Sequence, residues 1–298
     1  MNSAKNPNDP LAKSIPIEEV WSYSVPLMVT AVLLLSGCVH LFLLGILGAS
    51  WHGPLSLRKP ALFGISGGLT VFSLAWLMTK LEPRRLDRLL INSLSVALLI
   101  EVGLITHQYW RGVASHFNHS TMFNAAIEFT MLLLILIATG VILYLTWRTI
   151  RLRAIDPAMV IAIRGGMGLL ALSCLLGIAT SVLGEASLAM GGTTELWGKA
   201  GILKFPHGVA LHAIQWLPIL AWICQRLRLS RSVRVVRSAL IAQVMFLVYS
   251  IWQTGNGRDR LDFDAVGGSF LAITILFTLY PTFEVGRWLF SSAKQKPA

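Results

Sequence analysis

The chain has 298 residues, is 55% hydrophobic and 13% charged, and has a mean hydropathy of +0.67. A soluble domain of this size carries about a quarter charged residues. Apolar runs of roughly 20 residues, the length needed to cross a bilayer, recur from end to end and exclude a separate soluble domain. The net charge of +11 does not point to nucleic acid, because the basic residues sit in short connections between apolar runs, as topology signals do.

Met1–Ser24 is a polar lead punctuated by Pro7, Pro10 and Pro16. The run after it is too long for a cleavable signal. The first span covers Val25–Ala49 and carries Ser36 and His40; a short loop with Trp51, His52, Arg58 and Lys59 follows. Span 2, Ala61–Leu81, has Gly64 and Gly68 four apart, a spacing that lets helix backbones approach. Span 3, Leu89–Gln108, holds Glu101 and ends at His107. The loop Tyr109–Ser120 is dense in functional groups, among them Arg111, His116 and His119. Span 4, Thr121–Trp147, places Asn124, Glu128 and Thr139 along one face.

Span 5 covers Ala158–Gly184, and Glu185 opens a Gly/Thr-rich loop with a short surface segment ending at Trp197. Span 6 lies within Lys204–Leu227, with Gly208, His212 and Gln215 on one stripe and His207 nearby. Span 7, Val235–Gln253, is nearly bare of ionisable groups; span 8 covers Val266–Phe290, and residues 291–298 form a basic tail. Cys38, Cys174 and Cys224 fall inside apolar runs without metal-ligand spacing and read as packing residues.

Most of the 25 lysines and arginines fall on one side of this zigzag, which predicts both termini in the cytoplasm. The predicted fold is an all-α integral membrane bundle of about eight transmembrane helices, in a bacterial cytoplasmic membrane. A loose echo between Trp51…Lys59-Pro60…Ala75-Trp76 and Trp197…Lys204-Phe-Pro206…Ala221-Trp222 suggests two four-helix halves. Eight spans in two halves with outer-face histidines are similar in outline to haem A synthase, an analogy of architecture.

At 1.5 Å per residue, His40, Glu101 and His212 fall within roughly 5 Å of the midplane on the outer side, and Glu128, His107 and His207 about 10–13 Å from it. All seven histidines thus lie in the outer half or in outer loops. Ionisable groups in a span are costly and mark functional sites. The plain alternative is interhelical hydrogen bonding, worth about 1 kcal/mol or less per pair.

Three chemistries suit this pattern. The first is bis-histidine haem b, with His40/His212 or His107/His207 as axial ligands, Gly37 and Gly208 leaving room for the macrocycle, and Arg58, Arg111 and Lys204 facing the propionates. The second is a copper, zinc or iron centre built on His116 and His119, with His52, His107 or Glu185 completing the shell. In either, Glu101 and Glu128 would serve as proton donors or orienting groups, and a redox partner or quinone would exchange electrons at the outer face. The third is a carrier using the same Glu/His cavity for a solute or proton; a scaffold whose polar groups are only helix ties is the remaining reading.

Overall fold

The computed structural model describes residues 23–48, 50, 51, 53, 55–153, 155–193 and 201–293, with side chains up to residue 288. Residues 1–22 of the polar lead, His52, residues 194–200 around Trp197 and residues 294–298 of the tail lie outside the described residues.

Among the described residues, nine α-helices in chain order make up eight spans: α1 (Ser24–Ile46), α2 (Arg58–Met78), α3 (Asp87–Trp110), α4 (Met122–Thr149), α5 (Pro157–Ala189), α6 (Lys204–Leu211), α7 (Ala213–Arg226), α8 (Ser232–Gly255) and α9 (Ala265–Ala293). Each span is long and apolar enough to cross a bilayer. Large side chains such as Leu35, Phe42, Leu133, Ile137, Leu276 and Phe283 lie exposed along the flanks, the surface that lipid covers. The chain is a multi-pass membrane bundle.

Helix neighbours repeat between the halves. α1 packs on α2 and α3, and α3 packs on both α2 and α4. In the second half α5 packs on the α6–α7 span and on α8, and α8 packs on that span and on α9. The halves meet where α4 lies against α5 and α2 against α7. The core between them is apolar, with Leu74, Leu94, Leu145, Met167, Leu170 and Leu217 fully buried.

Because lipid tails are as apolar as leucine, close backbone approach and hydrogen bonds hold such a bundle together. A Cβ at Gly37 would lie 2.7 Å from the Ile65 backbone nitrogen, and one at Gly64 would lie 2.8 Å from the Gly37 Cα. Gly37 therefore serves the α1–α2 crossing and leaves no room there for a macrocycle. At the arginine-rich end, Arg148 of α4 is buried in an ion pair with Asp87 of α3 and also donates to the Glu82 carbonyl. Arg164 of α5 donates to the carbonyls of Thr149, Ile150 and Leu152, closing the end of α4 where helical acceptors run out. Asp156 caps α5 by accepting from the Ala158 and Met159 N–H groups, with Pro157 at the first position.

Two boundaries differ from expectation and both bear on the site. Helix α5 continues past Gly184 to Ala189, so Glu185 projects from a regular helix rather than from a loop. The sixth span is broken at His212. There the Val209 carbonyl, freed by the break, accepts from Gln243 Nε2 at 2.7 Å, and Gln243 Oε1 in turn accepts from Trp216 Nε1. An unsatisfied carbonyl inside a membrane costs several kcal/mol, so the glutamine of α8 is what makes this break tolerable.

Candidate metal centre at the histidine-rich end

The loop between α3 and α4 is shaped by one carboxylate. Thr121 caps α4 by accepting from the Asn124 N–H, which starts the helix so that Glu128 faces back under the loop. Glu128 Oε1 accepts from the Phe117 N–H at 2.5 Å and Oε2 from the Asn118 N–H at 2.8 Å. Phe117 has φ 58, the left-handed region, which side-chain-bearing residues enter at a cost of about 1–2 kcal/mol. Consecutive N–H groups converging on one anion form a backbone nest, and the charge it encloses offsets that strain.

The same turn pushes the Phe117 ring against α5. A Cβ at Gly184 would come within 2.6 Å of that ring, so only glycine lets it seat there. The next residue is Glu185, and the loop presents His119 to it. His119 Nε2 lies 3.1 Å from Glu185 Oε1 and 3.7 Å from Glu128 Oε2. One ligand atom from each of the three residues falls within 4.8 Å of the others. Among the described residues this is the group of histidine, cysteine and acidic side chains placed to hold an ion. His119 and Glu185 are about half exposed and Glu128 only 18% exposed, so the cluster is open to one side.

The hydrogen bond to Glu185 raises the His119 pKa above its ordinary 6.5; partial desolvation opposes the rise, and the charges of Glu128 and Glu185 add to it. Two chemistries follow from one geometry. With a proton, His119 is an imidazolium clamped between carboxylates; without it, the imidazole and the carboxylates are an N,O,O donor set.

No protein-family model, curated protein or solved structure matches the chain.

Of the five residues expected at a metal centre, His119 and Glu185 meet, joined by Glu128 from the expected proton-handling pair. His116 turns away: its Nδ1 lies 2.9 Å from Ser115 Oγ and its ring packs against Phe63 and Phe117. The i, i+3 spacing of His116 and His119 implies a shared face only on a helix, and here the chain makes a left-handed turn at Phe117.

The residues expected to ligate haem are dispersed. His40 Nδ1 donates to the Ser36 carbonyl at 2.7 Å, which leaves Nε2 to accept from Trp110 Nε1 at 3.2 Å, so both ring nitrogens are engaged. α1 packs on α2 and α3, away from the α6–α7 span that carries His212. His212 sits exposed at the helix break. His107 is exposed on α3 against the Phe123 edge, while His207 is tied to α5. Its Nδ1 lies 2.8 Å from the Ser173 carbonyl, Ser173 Oγ donates back to the His207 carbonyl, and the ring rests on Gly177.

The cations expected at propionates are occupied otherwise. Arg111 donates to Gln108 Oε1 and Asn124 Oδ1 and lies over the Phe123 ring. Arg58 lies over Trp51, and Lys204 is engaged in an interaction of its own. Glu101 is 5% exposed inside the bundle, with Oε2 unpartnered among the described residues. It is not part of the His119–Glu128–Glu185 cluster. No local pattern announces the Glu128 nest, although a glutamate about two turns into a helix behind a Ser-Thr start is a usable hint.

Proposed function

We propose that this membrane protein holds a divalent transition-metal ion, iron or zinc, on His119, Glu128 and Glu185 at the outward end of the bundle, and that it acts there as a metal-dependent enzyme of the membrane surface. The observation that carries this reading is the convergence of three donor atoms from a loop and two helices within 4.8 Å. One imidazole and two carboxylates suit iron or zinc, whereas copper(I) selects sulfur ligands. Three protein ligands on a half-exposed site leave coordination positions for water or substrate, the arrangement of catalytic rather than structural centres. A bound iron would supply one-electron redox chemistry, in keeping with the expected redox function, and zinc would supply Lewis acidity.

The chain's own residues supply the rest. Glu128 is oriented by the Phe117 and Asn118 amides, the kind of outer support that tunes metal ligands. The Phe117–Gly184 contact sets the separation of loop and α5. The test is metal content and zinc or iron(II) titration of purified full-length protein. We expect about one ion per chain, lost in His119→Ala and in Glu185→Gln and kept in His116→Ala. Equal binding by all four proteins, or none by the parent, removes the proposal.

A further inference from the structure

A second site lies at the opposite, arginine-rich end. A cavity of about 140 Å³ opens between the start of α1 and the start of α3, lined by Tyr23, Ser24, Val25, Arg88 and Asn92. Arg88 and Asn92 are four apart and so stack on one face of α3, towards α1. Neither side chain has a partner among the described residues, and Ser24 lines the opposite wall. The neighbouring acid, Asp87, is consumed by Arg148 and by the Arg84 N–H, so it does not neutralise Arg88.

Arg88 is exposed and Asn92 half-buried, so the cleft is open at the Arg88 end and an anion can reach both donors from solvent or from the headgroup region. Arg presents a fork of N–H donors that matches phosphate oxygens, and Asn adds two more donors. The α1 start lends further positive potential, with no side-chain cap bond from Tyr23 and no acidic residue in its first turn. The cleft lies within the first two turns of α1 and α3, at the end of the spans, where phospholipid headgroups sit.

We infer that the Arg88–Asn92–Ser24 cleft binds a phosphate group, carried by an anionic phospholipid headgroup or free in solution. Recognition is by two to three charge-assisted hydrogen bonds from Arg88 and a neutral one from Asn92. The cleft is independent of the metal cluster, which lies at the other end of α3.

The experiment uses the full-length protein, delipidated in neutral detergent. It measures binding of phosphatidylglycerol against phosphatidylcholine by native mass spectrometry, and of inorganic phosphate by titration. Arg88→Gln and Asn92→Leu are compared with Arg85→Gln, an exposed arginine outside the cleft, and each variant is first checked for a single gel-filtration peak. We expect affinity to fall about tenfold in Arg88→Gln and less in Asn92→Leu, with Arg85→Gln unchanged, as loss of a charged hydrogen bond implies. Loss confined to phosphatidylglycerol assigns the headgroup source, and loss for inorganic phosphate as well assigns free phosphate. Arg88→Lys retains part of the binding, which separates charge from fold. Equal weakening by Arg88→Gln and Arg85→Gln, or no phosphate or phosphatidylglycerol binding by the parent, overturns the inference.

Discussion

Replacing Glu128 by alanine removes the acceptor for two consecutive backbone N–H groups, and the structure sets the size of the effect. A hydrogen bond to a charged group contributes about 1.5–3 kcal/mol. Glu128 is mostly buried yet borders solvent, so water replaces part of what is lost and the lower end applies. The left-handed Phe117 then loses the charge that offset its strain. Two such bonds at that lower end weaken the loop by about 3 kcal/mol, which speeds amide exchange at Phe117 and Asn118 roughly 150-fold. Hydrogen–deuterium exchange of the 111–121 segment in the intact protein reads this directly. Metal affinity should fall by at least about 100-fold, because a ligand and its support go together. Unchanged exchange at residues 117 and 118 in an otherwise folded variant would refute the claim that Glu128 organises the loop.

Metal-free protein should show a pH effect of definite sign. The His119 pKa is raised in the folded state, so its ion pairing holds the loop fully below pH 6.5 and is lost as pH rises through the folded pKa. Protease sensitivity of the loop in chelator therefore increases with pH just above 6.5, whereas metal affinity increases over the same window with release of a proton, because the ion needs neutral imidazole. A pH-independent loop would contradict this. Gly37→Ala drives a methyl into the Ile65 backbone and should destabilise the α1–α2 pair by about 1–3 kcal/mol, seen as a lowered melting temperature. Arg148→Gln strands a buried Asp87 and should cost about 3–5 kcal/mol in denaturant unfolding. Adding Asp87→Asn should restore most of that loss; failure to do so would mean Arg148 acts chiefly through the Glu82 carbonyl.

Local composition decided the fold class and the eight spans, because a bilayer imposes a length and a polarity that any 20-residue window displays. The crowding of histidines towards one end was equally legible, and so were Glu185 and His119 as metal-ligand candidates. Tertiary structure decided which of those side chains meet. Counting along the spans puts His40 and His212 at one expected depth, but α1 and the α6–α7 span have different neighbours, and equal depth says nothing about position around the bundle. The break at His212 depends on Gln243 from another helix, which no local pattern announces. Glu128 joins His119 because a strained turn at Phe117 docks against Gly184, a contact between residues far apart in the chain. Depth is a property of one helix and can be counted along it; azimuth and partnership belong to pairs of helices, and packing alone sets them.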